Sequence, residues 1–441
     1  MQPKHRQVMW PKLVANKILR KSLGSNQFVR DFANAEPLLE DPSSIQTIIP
    51  KNLSNDQKDT NKYKVFVSTW NLGGIAPSDE LNLEDWLDTS NNLCDIYVLG
   101  FQEAVPLSAG NVLGPENSRI STKWNSLIRA ALNKRIPSKK NQEPKAGKEP
   151  KIFPVKDGDL RESIPPNFNC IISKQMVGIF ISVWVQGDLR QYVRHPSVSC
   201  VGCGILGCLG NKGSVSVRFF LQETSFCFVC SHLASGGKER DEMHRNADVA
   251  EILSRSIFPR GRSFDLPRKI LHHDRVAWLG DLNYRISMPE SATRLLIEKG
   301  DWDTLLENDQ LRVELSEGRT FEGWHEGIIE FAPTYKYHPN SDKYYGWNQT
   351  KKGEKRRAPA WCDRILWYGK GLKQKVYSRG ESRLSDHRPV KAIFKVEVEI
   401  LRNLQAFESI FMSERFDRLT DDFDVFTRDD FLSNGRFSCR I

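Results

Sequence analysis

The sequence predicts a β-rich α/β domain over residues 63–400, on three observations. Short runs of apolar and β-branched residues recur along this span and are bounded by Gly, Pro, Asn and Asp. Segments with helical spacing are fewer and lie between the runs. Hydrophobic residues make up 39% of the chain and charged residues 27%, which suits a globular protein with a sizeable core and excludes disorder throughout. The 441 residues could hold two or three average domains, but one large enzyme domain with tails fits the pattern as well.

The chain opens on a basic arm. No acidic residue precedes Asp31, whereas Lys4, Arg6, Lys12, Lys17, Arg20, Lys21 and Arg30 are all cationic. Trp10, Leu13, Val14 and Ile18 fall at helical spacing within it, so the arm is read as a helix docked on the main domain or lying on anionic lipid. A polar linker at 40–62 completes the N-terminal region, 1–62. Strands are predicted at 65–70, 96–100, 177–185, 215–221, 226–230, 276–279, 365–367 and 390–398. Helices are predicted at 81–89, 238–256 and 291–298. Residues 134–158, rich in Lys, Pro and Gly, are read as an exposed insertion, and 401–441 as a C-terminal tail.

Lys and Arg total 64 against 55 Asp and Glu, a formal charge of +9 that favours anionic partners: phosphorylated small molecules, nucleic acid or acidic membrane. The nine Cys are scattered, and Cys227 and Cys230 lie inside an apolar run, so a reduced, cytoplasmic setting is expected. Cys200, Cys203 and Cys208 cluster without the second ligand pair of a zinc finger. No apolar stretch reaches the roughly 18 residues needed to cross a bilayer as a helix.

Two glycine-rich patterns invite a nucleotide-binding reading and fail it. Gly202, Gly204 and Gly207 match G-x-G-x-x-G, but a turn and the β-like run after Gly213 follow, not a helix. Residues 207–214 resemble a P-loop with Lys212 and Gly213 in reversed order, again without a helix to receive phosphate. A turn between strands remains, with Lys212 available to an anion.

Several predicted strands end in polar groups. Asn71, Glu103 and His232 follow such runs, as do Asp281 and Asn283; Asp363 precedes one, and Asp386 and His387 stand before Pro389. Strand ends hold side chains firmly while leaving them open to a ligand. Taken singly, each is as readily a turn cap or a satisfied buried group. Their surroundings change that reading: Ser68-Thr-Trp-Asn-Leu-Gly-Gly74, Leu99-Gly-Phe-Gln-Glu103, Ser231-His-Leu-Ala-Ser235, Trp278-Leu-Gly-Asp-Leu-Asn-Tyr-Arg285, Pro359-Ala-Trp-Cys-Asp-Arg364 and Ser385-Asp-His-Arg-Pro389 occur in that order. Together they resemble the inositol polyphosphate 5-phosphatases of the endonuclease/exonuclease/phosphatase superfamily, and the Trp-Pro-Lys at Trp10 resembles their type I, plant-like branch. The resemblance implies a DNase I-like, four-layer β-sandwich of two packed sheets flanked by helices, with the site at one edge. It also implies Mg²⁺-dependent removal of the 5-phosphate from inositol phosphates or phosphoinositide lipids.

Cleaving a phosphate monoester requires charge neutralisation, a positioned water and a protonated leaving group. Glu103 is a hard oxygen ligand for Mg²⁺, and Asn71 completes or orients that shell, as the resemblance implies. Asp281 is the general base for water, and Asn283, two residues on and on the same side of a strand, holds water or phosphate. His387 donates to a phosphoryl oxygen, with Asp386 beside the metal or fixing local geometry. His232 is the second imidazole on the phosphate, Asp363 orients one of these groups, and Arg364 forms either a phosphate contact or a salt bridge. Tyr335, Lys336, Lys355 and Arg357 resemble the family's clamp for the neighbouring 4-phosphate, while a run such as 351–357 is otherwise a solvated face. Asn211 and Lys212 are placed on the 1-phosphate side. A nuclease of the same superfamily would share the metal site, but Pro333-Thr-Tyr-Lys336 and Pro359-Ala-Trp-Cys-Asp-Arg364 argue against it, and no nucleic acid partner is expected. A non-catalytic phosphoinositide-binding scaffold is disfavoured because Glu103, Asp281, Asn283 and His387 are all present. Location is expected to be cytoplasmic, with peripheral contact at anionic membranes.

Overall fold

A computed structural model describes residues 27–31, 59–114, 116, 118–134, 168–204, 207–260, 266–346 and 358–400. The basic arm before residue 27, the insertion after residue 134, Lys355, Arg357 and the tail lie outside the described residues. Residues 27–31 and Lys62–Val398 fall in one compact unit; of a second, Ile48–Asn61 with Glu399–Ile441, only 59–61 and 399–400 are described.

The strands are β1 (Asp59–Asn71), β2 (Ile96–Gln102), β3 (Phe168–Met176), β4 (Ile179–Gln186), β5 (Val193–Gly202), β6 (Gly213–Leu221), β7 (Thr224–His232), β8 (Arg275–Asp281), β9 (His325–Glu326), β10 (Asp363–Tyr368), β11 (Leu372–Arg379) and β12 (Val390–Ile400). They form two six-stranded sheets, ordered β11-β12-β1-β2-β4-β3 and β5-β6-β7-β8-β10-β9. The helices are α1 (Glu84–Leu87), α2 (Ala109–Leu113), α3 (Arg119–Leu132), α4 (Asp241–Arg255), α5 (Glu290–Lys299), α6 (Trp302–Glu307) and α7 (Gln310–Ser316).

Side chains alternate across each strand, and here both faces are buried. In β1, Val65 and Val67 enter the core between the sheets, while Phe66 and Trp70 pack outward with Trp86 of α1 and Trp124 and Ile128 of α3. In β8, Ala277 and Leu279 enter the same inner core, whereas Val276 and Trp278 face Val249 and Ile252 of α4. The layers are therefore helix, sheet, sheet, helix. A Cβ at Gly100 would lie 2.6 Å from Leu279 Cδ1 and 2.8 Å from Cys230 Sγ, so glycine lets the sheets approach there. Among the described residues no helix is long and apolar enough to cross a membrane.

Elements beyond the expectation are those whose burial the sequence disguises. β3 carries Ser173, Lys174 and Gln175, all buried, and pairs on its outer side with Val29 through two backbone hydrogen bonds of 2.9 Å. β5 holds His195 and Pro196 at a bulge, and β11 is a Lys-bearing edge strand with another bulge. In α3, Trp124, Ile128 and Leu132 recur at every fourth position, a helical signal present in the sequence.

Topology gathers the polar strand ends. β1 and β2 are parallel, with Asn71 opposite Gln102, and β7 and β8 are parallel, with His232 opposite Asp281. β10 runs antiparallel to β8 and starts with Asp363 opposite Asp281. The carboxyl ends of β1, β2, β7 and β8 thus share one edge of the sandwich with the start of β10.

Candidate active site

Asp281 is central. Its Oδ2 accepts from Asn71 Nδ2 at 2.8 Å and lies 3.3 Å from His232 Nε2, and its Oδ1 accepts the Asn283 backbone N–H at 3.1 Å. Burial alone would raise the carboxyl, but His232, His387 and Lys212 together hold it below the ordinary carboxylate range, so it is ionised at neutral pH. Asn283 was expected on the strand with Asp281; it instead follows the end of β8 in a left-handed conformation, φ +58°. Its Nδ2 donates to Leu233 O at 3.1 Å, and Arg285 Nη2 donates to its Oδ1 at 2.6 Å.

Glu103 also has a left-handed backbone, φ +47°, one residue beyond β2. Glu103 and Asn283 are thus two of the nine non-glycine residues with positive φ among the described residues. The Glu103 carboxylate is 31% exposed, accepts no hydrogen bond from the described residues and lies 3.9 Å from His232 Nε2. Asn71 turns its amide nitrogen to Asp281 and its Oδ1 to the Gly73 N–H, 2.9 Å away. Such hard oxygen donors, one of them an unbonded carboxylate, fit a divalent cation. Asp281, Asp363 and His387 also bring ligand-capable atoms within 4.8 Å of one another, but the Nδ1 of His387 already bonds Asp363.

His387 Nδ1 and Thr334 Oγ1 both donate to Asp363 Oδ2, at 2.8 and 2.7 Å. Burial pushes the imidazole down, but Asp363 outweighs it and lifts His387 to about 9. The ring of Tyr335 lies 4.6 Å from that of His387 and also 4.6 Å from the Arg285 guanidinium, so Tyr335 is a buried wall behind the imidazole rather than an open clamp. Lys336 reaches Asp386 Oδ2 at 2.6 Å.

Three further residues turn to groups of the protein itself. Of its two expected roles Arg364 takes the salt bridge: it is 1% exposed, and its guanidinium is bound by Glu326 at 2.6 and 2.7 Å and by Asp309 at 2.8 and 3.0 Å. Strand alternation sends it away from the face that Asp363 presents. Lys212 contacts His232 Nε2, and burial pulls its ammonium down to about 8 against the attraction of Asp281 and Glu103. Asn211 turns its Oδ1 into its own loop, 2.0 Å from where a Cβ of Gly204 would stand.

Arg285, Thr334 and Ser385 join the site without having been singled out. Ser385 Oγ donates to Asn71 O at 2.7 Å and accepts the His387 N–H at 3.1 Å, tying β1 to the loop before β12. All three lie inside motifs already quoted, so their neighbours were the available signal.

The match to a family model described as Endonuclease/Exonuclease/phosphatase family 2 covers residues 68–393. The chain is 61% identical to type IV inositol polyphosphate 5-phosphatase 9 of Arabidopsis thaliana, over 94% of this chain and 98% of that one. It is 46% identical to the type I enzyme 8 of the same plant, over 89% and 86%. Among solved structures it resembles the inositol polyphosphate 5-phosphatase domain of spsynaptojanin, crystallised with inositol (1,4)-bisphosphate and a calcium ion, with a TM-score of 0.63, 30% identity and coverage of 83% and 94%.

Proposed function

The chain belongs to the inositol polyphosphate 5-phosphatases of the endonuclease/exonuclease/phosphatase superfamily, and from that premise we propose that it uses Mg²⁺ to remove the 5-phosphate of soluble inositol phosphates such as inositol 1,4,5-trisphosphate and of phosphatidylinositol 4,5-bisphosphate. The observation that carries this reading is the convergence of Asn71, Asn283, His232 and the His387–Asp363 pair on Asp281, with a Glu103 carboxylate that has no hydrogen bond of its own among the described residues 3.9 Å from His232.

Glu103 and Asn71 would hold the cation, which supplies charge neutralisation to the phosphate when bound. Asp281, ionised at neutral pH, orients a water and takes its proton as the new P–O bond forms. His387 enters protonated and donates to a phosphoryl oxygen where negative charge builds. Lys212 adds positive charge beside His232, and Arg285 beside Asn283. The bond to the inositol oxygen then breaks; the departing 5-oxygen takes up a proton from solvent water and leaves as the hydroxyl, while Asp281 returns to solvent the proton it removed.

Lys336 meets the neighbouring 4-phosphate in this reading, and the basic arm before Asp31 favours a cytoplasmic protein in peripheral contact with anionic membrane. The test is phosphate release from inositol 1,4,5-trisphosphate and from liposomal phosphatidylinositol 4,5-bisphosphate, run beside nicking of plasmid DNA. One phosphate per substrate is expected with Mg²⁺, none in excess chelator and no nicking. Full turnover in chelator, or nicking without phosphate release, would refute the reading.

A further inference from the structure

Lys336 has a partner before any substrate arrives. Its Nζ stands 2.6 Å from Asp386 Oδ2, and the neighbouring His387 also attracts that carboxylate. The side chains are 26% and 23% exposed, so a solute anion can reach the pair. Their backbones are fixed against each other: Tyr337 N–H donates to Asp386 O at 2.9 Å, Arg388 N–H to Thr334 O at 2.9 Å, and Tyr335 bridges His387. Only the lysine tip is free to choose. That tip lies 5.6 Å from the ring centre of Tyr335 and 5.5 Å from that of Tyr345, faces that still favour the ammonium if it leaves the carboxylate.

We propose that Asp386 is a specificity-determining residue that competes with the substrate's ring phosphate for Lys336. With no neighbouring phosphate the ammonium stays on Asp386; a substrate carrying one draws it away, exchanging one ion pair for another and leaving the Asp386 carboxylate to the attraction of His387. Discrimination between the two substrate kinds is therefore the difference between two ion pairs made by one lysine. This rests on the reading that Lys336 meets the ring phosphate, and the experiment separates the two ideas.

The probe is inositol 1,4-bisphosphate, which keeps the neighbouring phosphate and is not turned over, titrated calorimetrically at one fixed Mg²⁺ concentration. Asp386→Asn should tighten its binding about fivefold, roughly the worth of a partly exposed ion pair. Lys336→Met should weaken binding, and adding Asp386→Asn to Lys336→Met should change nothing more. Inositol 1-phosphate, which lacks the 4-phosphate, should bind the Asp386→Asn variant as it binds the unaltered protein. Equal tightening in both lysine backgrounds would mean a general loss of repulsion and would overturn the inference; so would no tightening with Lys336 intact. If Lys336→Met left inositol 1,4-bisphosphate affinity unchanged, the ring-phosphate reading itself would fail. Asp386→Ser and Lys336→Gln repeat the cycle with different side chains, and thermal unfolding of each variant establishes that it is folded.

Discussion

Asp363 and Arg364 are consecutive, charged and buried, and they face opposite sides of the second sheet. On one side, Arg364 is matched completely: two carboxylates take four of its hydrogen bonds, and Tyr377 donates to one of them at 2.8 Å. On the other, Asp363 Oδ2 takes two donors while its Oδ1, also buried, has none among the described residues. A buried charge whose every bond is met from within the fold joins elements together. One left partly unmet in a cluster with Asp281 and His387 is reserved for chemistry.

The sharpest way to break this comparison is to substitute on each side in turn. His387→Gln keeps a polar side chain beside Asp363 but removes the proton donor; kcat should fall roughly 10²- to 10⁴-fold, while binding of inositol 1,4-bisphosphate changes little. A variant that lost affinity and kept kcat would place His387 in binding instead. Arg364→Met should do the reverse, lowering the free energy of unfolding by about 3–5 kcal/mol because Asp309 and Glu326 are left as uncompensated buried charges. Urea unfolding measures that, and kcat per folded molecule should stay near that of the unaltered protein. Normal stability with lost kcat would return Arg364 to the phosphate.

The smallest effect concerns pH and sharpens the Asp363 side alone. The imidazole of His387 rises from its ordinary 6.5 to about 9 in the folded protein. Below its unfolded value both states are protonated and its contribution to stability is fully present; that contribution declines as pH rises through the folded value. Thermal unfolding from about pH 6 to about pH 10 should therefore show an alkaline loss that His387→Gln lacks, and kcat should fall on the same alkaline limb. An identical pH dependence in both proteins would remove the charged imidazole from the account.

Much of this was legible before the structure. β1, β2, β7 and β8 read as apolar runs because both of their faces are buried, and the polar residues that end them stood out against those runs. β3, β5 and β11 did not, since edge position, bulges and buried Ser, Lys and Gln erase the alternation on which such a reading depends. The same limit applies in the site: motif order brought Asn71, Glu103, His232, Asp281, Asn283, Asp363 and His387 into one list without saying which way any of them turned.

By itself the sequence determined the family, the inner and outer faces of the central strands and the chemical kinds of group available, because these follow from residue type and periodicity along the chain. Only the tertiary structure decided that Arg364 serves the core and Asp363 the site, that Lys212 turns to His232, that Asn283 arrives from a left-handed turn and that Lys336 rests on Asp386. Each of these is a choice of partner across 20 residues or more, or of a backbone conformation imposed by such partners. Local pattern carries no information on which of several equally suitable charges the folded chain will bring within hydrogen-bond distance, and that choice separates a structural charge from a functional one.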